Sequence, residues 1–165
     1  MLSWPAVERL LRSSRYLWIS TTNPDGSPHL VQQWCAWVDN TLYFEGSDRT
    51  RWARNLSRDP RLGFGMQVDD RSVYGEAVVD VARDLERAIA TRIARQYGTK
   101  YGPEFGYRPA TEQYANGPVF RARPTKLIAF DVRRFNTSAT RFTFDPAAGL
   151  RSRRGLRGQP SPSSR

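Results

Sequence analysis

Three residue types that often build active sites are nearly missing from this sequence. It has one cysteine, one histidine and two lysines, Lys100 and Lys126, in 165 residues. A lone cysteine forms no internal disulfide, which suits a reducing compartment, and cytoplasmic residence is expected. Cys35 lies in an apolar run and reads as a buried, inert thiol. A single histidine excludes a His-pair metal site, and no metal is expected. No apolar run reaches the roughly 18 residues of a membrane span. The first residues lack the basic-then-apolar order of a signal peptide. Nucleophile-elbow, P-loop and Gly-x-Gly-x-x-Gly patterns are absent. A chain so short of titratable catalytic groups has to borrow its chemistry from a cofactor or perform none.

Arginine is abundant, at 24 against the two lysines, and the formal net charge is +10. Residues 149–165 hold Arg151, Arg153, Arg154, Arg157 and Arg165, no acid and two leucines, so they are expected to form a basic disordered tail. Residues 1–148 are then a single domain. Its modest positive field suits phosphates as well as nucleic acid.

Along that domain the pattern alternates between short strands and a few helices. An amphipathic helix is expected over 4–13, with Ser3 as cap and Pro5 in its first turn. Strands follow over 16–22, 29–38 and 41–45, separated by turns at Asn23–Gly26 and Asp39-Asn40. A short helix, about 50–58, is capped by Ser47 or Asp48 and stops at Asp59-Pro60. Strands over 61–68 and 72–82 lead to a helix over 85–97, then to an irregular loop over 98–117. A strand over 119–132, open to a break at Pro124, and a shorter one over 140–144 close the pattern. This order fits a mainly β fold, an antiparallel barrel with helices at its connections.

The segment from Ser47 to Arg61 is the strongest chemical signal. A strand runs into a helix whose first amides attract anions, Thr50 adds a hydroxyl, and Arg49, Arg51 and Arg54 add forks that match phosphate. A solvated basic helix face is the competing reading. Gln32 and Gln33 interrupt an apolar strand; being adjacent, one of them faces away from any site. His29 opens that strand, and Trp34 and Trp37 read as core or interface anchors.

These pieces together resemble the pyridoxamine 5′-phosphate oxidase-like split barrels that bind FMN or the 5-deazaflavin F420. The resemblance rests on Thr22–His29, Trp34–Phe44, Thr50–Leu56, Arg58–Arg61 and Val73–Ala77, with Val119–Lys126 and Thr140–Phe144 beyond them. It implies a six-stranded split barrel, a homodimer with cofactor sites at the interface, and hydride transfer between F420 or FMN and an unidentified small molecule. By the same analogy His29, Val31, Gln32 and Gln33 line the ring, while Glu45, Ser47, Thr50 and Arg51 meet the phosphate and Arg54 reaches the same anion or an F420 tail. The family's phosphate motif commonly reads Ser/Thr-Arg-Lys, and here Trp52 holds the third place. Either Arg49 or Arg54 compensates, or Trp52 stacks on the ring, or the site has degenerated. The extra arginines favour F420. A non-catalytic FMN-, F420- or haem-binding protein is the alternative, and a nucleic-acid-binding barrel a further one.

Overall fold

The computed structural model describes residues 1–145 and 149–156. Nine strands form one antiparallel sheet: β1 (Leu17–Thr22), β2 (Pro28–Gln33), β3 (Ala36–Val38), β4 (Thr41–Phe44), β5 (Arg61–Val68), β6 (Arg71–Ala82), β7 (Val119–Asp131), β8 (Thr140–Asp145) and β9 (Gly149–Gly155). The order along the sheet is β2-β1-β5-β6-β7-β4-β3, with β8 on β7 and β9 on β8. The two ends of this path, β2 and β3, are halves of one strand broken at Trp34-Cys35. The sheet therefore curls until its ends meet in the chain itself. With that strand counted once, six strands make the ring, and β8–β9 is a hairpin laid beside it. β7 supplies the split: its first half pairs with β4 and its second half with β8.

The break at Trp34-Cys35 is supported from one helix, α3 (Arg87–Phe105). Bent backbone must place its polar groups somewhere. Here the Tyr97 hydroxyl donates to the Trp34 carbonyl, the Lys100 ammonium to the Cys35 carbonyl, and the Cys35 amide donates to the Tyr101 hydroxyl. The Gln96 amide side chain serves both the N–H and the C=O of Trp37, covering the free edge of β3. Cys35 is buried, and desolvation pushes its thiol up, in keeping with an inert cysteine.

That support explains why α3 runs past 97, where the expected helix stopped. Tyr97 and Tyr101, one turn apart, both face the core, and Tyr101 stacks on Trp34 at 4.2 Å. These contacts outweigh the roughly 1 kcal/mol that a mid-helix glycine such as Gly98 costs. The helix ends at Gly106, whose φ of 68° only glycine adopts easily. The stretch expected as loop also holds a second helix, α4 (Thr111–Asn116).

Two other expectations change. Pro124 does not break β7, because a bulge opposite Glu76 and Ala77 absorbs it. Residues 149–155, expected within the tail, pair with β8 along its whole length, and Leu150 packs on the core. Arg157 and Arg165 lie outside the described residues.

The core has two parts. One fills the ring, where α1 (Trp4–Ser13) presents Val7, Leu10 and Leu11 to Trp37, Phe142 and the strands. The other lies between α3 and β3–β4, built on Tyr97, Tyr101, Tyr114 and Ile93. The outer face of the ring is less covered. Register places Gln32, Trp18, Gly65, Tyr74, Ile128, Arg141 and Arg154 in one line across seven strands. Leu30, Ser20, Gly63, Glu76 and Lys126 make the next line. Both lines cross β5 at a glycine, so a furrow runs between β1 and β6.

Candidate functional site

The site begins at the start of α2 (Arg51–Arg58). Its cap is Thr50 rather than Ser47 or Asp48: the Thr50 hydroxyl accepts from the Ala53 amide at 3.3 Å and donates to the Ser47 carbonyl at 2.8 Å. Ser47 Oγ accepts from the Arg49 amide. The Arg54 amide returns to the Thr50 carbonyl, which leaves the amides of Arg51 and Trp52 without a protein acceptor among the described residues. Arg49, Arg51 and Arg54 are exposed and form no ion pair among those residues. The helix dipole and the free amides thus meet at the head of α2, with Arg49 before it and Arg51 and Arg54 in its first turn.

α2 is fixed against β1 and the turn that follows it. Buried Asn55 donates to Thr21 Oγ1 at 3.1 Å and to Asn23 Oδ1 at 3.0 Å, and Arg58 reaches the Thr22 carbonyl. In that turn Asp25 accepts from the hydroxyl and amide of Ser27, which hold its carboxyl below the ordinary range, with Arg51 adding to the effect. Thr21 is the register partner of His29, so α2 and the start of β2 are tied through one buried pair.

β2 divides its residues between two faces. His29, Val31 and Gln33 are half-buried beside Thr21, Ile19 and Leu17, whereas Leu30 and Gln32 are exposed on the outer face. The two glutamines therefore point to opposite sides, as adjacency requires. Gln32, Gln33 and Trp34 nevertheless line, with Glu45 from the end of β4, a cavity of about 250 Å³. It lies where the sheet path ends, beside the unpaired edge of β2.

Two residues assigned by analogy have other partners. Trp52 is 4% exposed and packs on Phe44 at 5.6 Å and Phe120 at 4.7 Å, so it belongs to the core and offers no face to a ring outside. The Glu45 carboxylate, a group that repels phosphate, is engaged by side chains of the protein. It accepts from the Tyr107 hydroxyl at 2.6 Å and from Gln113 Nε2 at 2.7 Å, with Tyr114 at 3.4 Å. Burial, then the bond to Glu45, pushes the Tyr107 phenol up. Glu45, which lines the cavity, thereby ties residues 107–114 to the end of β4. Trp34 completes that wall against Phe105 and Tyr107. Tyr107 and Gln113 were missed in the sequence because their segment carries no periodic pattern. Trp37 is fully buried and Trp34 partly so, as anchors should be.

Among the described residues no helix is long and apolar enough to cross a membrane, and no group of three His, Cys, Asp or Glu is placed to hold a metal ion.

A family model described as pyridoxamine 5′-phosphate oxidase matches residues 3–138. No curated protein matches the sequence. Among solved structures, a conserved hypothetical protein from Mycobacterium tuberculosis is 27% identical with a TM-score of 0.64, over 81% of this chain and 87% of its own. An F420 reductase is 24% identical with a TM-score of 0.56, over 73% and 94%. A pyridoxamine 5′-phosphate oxidase-related, FMN-binding protein from Nostoc punctiforme shares 14% identity and a TM-score of 0.67, over 96% and 98%. The last two likenesses are of fold.

Proposed function

The chain belongs to the pyridoxamine 5′-phosphate oxidase family, and on that premise we propose that it is a homodimeric oxidoreductase that holds F420 or FMN and passes hydride to or from a small organic molecule. The observation that carries the reading is the head of α2, where two amides have no protein acceptor and the exposed Arg51 and Arg54 guanidinium groups form no ion pair among the described residues. A phosphate supplies what that arrangement lacks. Arg49 and Arg54 favour F420, whose acidic tail has further charge to place, and Trp52 leaves the site without the lysine usual for FMN.

When bound, such a cofactor supplies the hydride chemistry. The chain supplies position. Gln33 and Trp34 offer an amide and an apolar wall beside the cavity, and Tyr107 and Gln113 fix the Glu45 carboxylate at its rim. The cavity of about 250 Å³ is below the roughly 300–1,000 Å³ of ordinary ligand pockets, which fits a site completed by a second body.

The furrow on β5 supports a second copy as that body. A Cβ at Gly63 would meet nothing nearer than Ser20 Cβ at 3.6 Å, and one at Gly65 nothing nearer than 3.9 Å. Nothing inside the protomer therefore demands glycine there, and strand glycines mark close approach by another backbone or a ligand. Exposed Trp18 (47%) and Leu30 (62%) flank the furrow.

Mass spectrometry of the small molecule that co-purifies, read beside the visible spectrum, tests the assignment. The expected result is F420 or FMN, and oxidation of the reduced cofactor by a quinone, nitroaromatic or enone. Protein that takes up neither cofactor refutes it.

A further inference from the structure

We propose that the β8–β9 hairpin, with the adjoining outer face of β7, binds single-stranded nucleic acid. The proposal stands apart from the cofactor reading and rests on charges the fold leaves unanswered. Arg141 on β8 and Arg154 on β9 are direct register partners, so their side chains share one face, and both are exposed. Like charges placed opposite one another weaken a strand pair. On and just after the neighbouring strand β7 the arginines are neutralised: Asp80 answers Arg121 and Arg123, Asp70 answers Arg133, and Asp131 answers Arg134. Arg141, Arg151, Arg153 and Arg154 have no such partner among the described residues.

Protection of a sheet edge explains cations on β9, the last strand. It does not explain Arg141, because β8 is paired on both sides. Aromatic rings accompany the charges. Phe130 lies two residues along β7 from Ile128, the register partner of Arg141, and so stands diagonal to it on the same face. Phe135 packs edge-on against Phe130 at 5.0 Å and is itself 47% exposed. An acidic peptide or a free phosphate needs the guanidinium groups alone. A single strand of nucleic acid uses both, its phosphates on the forks and its bases on the rings.

Fluorescence anisotropy of the full chain with a labelled oligothymidylate tests this. Saturable binding that weakens steeply as salt rises is expected. The pair Arg141→Glu with Arg154→Glu should weaken it about tenfold or more, since each removes a phosphate contact and adds a repulsion. Phe135→Ala should weaken binding without changing its salt dependence, and melting temperature and flavin uptake should hold in all variants. Three results overturn the proposal: no saturable binding at low salt, undiminished binding in the double variant, or an oligoglutamate peptide competing as well as the oligonucleotide.

Discussion

Gly46 makes room for Trp52: a Cβ at position 46 would stand 2.5 Å from Cζ2 of the indole. The two residues, with Phe44 and Phe120, form one packing unit where β4 turns into α2.

Trp52→Lys, a substitution that restores the family's usual residue, should therefore unfold rather than improve the site. Loss of the ring costs about 3–5 kcal/mol, as for other buried aromatic truncations, and the buried ammonium adds to it. Urea denaturation measures this. A variant as stable as the parent, with tighter FMN binding, would place the indole outside the core.

Arg51→Ala should do the opposite. Arg51 is exposed and its charge only adds to the hold on the exposed Asp25, so the fold loses little. Affinity for F420 or FMN should fall by about 1.5–3 kcal/mol, the scale of a charge-assisted bond. Calorimetric titration of parent and variant reads the difference, and equal affinities would move the phosphate elsewhere.

Stability should fall in acid through Asp80. Burial opposes its ionisation, but hydrogen bonds and charge from Arg121, then Arg123, outweigh that and hold the carboxyl below its usual range. A carboxyl depressed in the folded state stabilises fully above its unfolded value, near about 4, and loses that contribution as pH falls through the folded value. Asp80→Asn should melt below the parent at neutral pH, and the gap should close in acid. A gap independent of pH would assign the loss to packing.

Glu45→Gln should loosen the segment that Glu45 holds. The amide keeps one acceptor but loses the charge that holds Tyr107 and Gln113, about 1–2 kcal/mol locally. Hydrogen exchange should quicken across 107–116 and stay unchanged in β5 and β6.

Gly63→Leu should leave the protomer folded, because the space above β5 is open, yet convert a dimer to a monomer. Sedimentation velocity distinguishes the two, and an unaltered dimer would remove the furrow from the interface.

The strands were legible because their alternation is local: Val73, Gly75, Ala77, Val79 and Val81 announce β6 before any partner is known, although Val81 ends up exposed. The basic start of α2 was equally plain. What escaped depends on distant contacts. Only the proximity of α3 shows that Tyr101 extends that helix and that Trp34-Cys35 is a bend within a strand. The side-chain partners of Glu45 were hidden because Tyr107 and Gln113 follow 62 and 68 positions later. The direction of Trp52 was hidden for the same reason. A motif states which residue occupies a place, and the helix's rotation on its neighbours decides which way that residue looks.

A sheet whose first and last members are halves of one strand checks its own alignment. A one-residue slip between β1 and β2 would drag residues 28–38 along their axis and misalign β3 with β4. Insertions or deletions between Pro28 and Val38 should then be far less tolerated than in the turn at Asn23–Gly26, where added length reaches neither ladder.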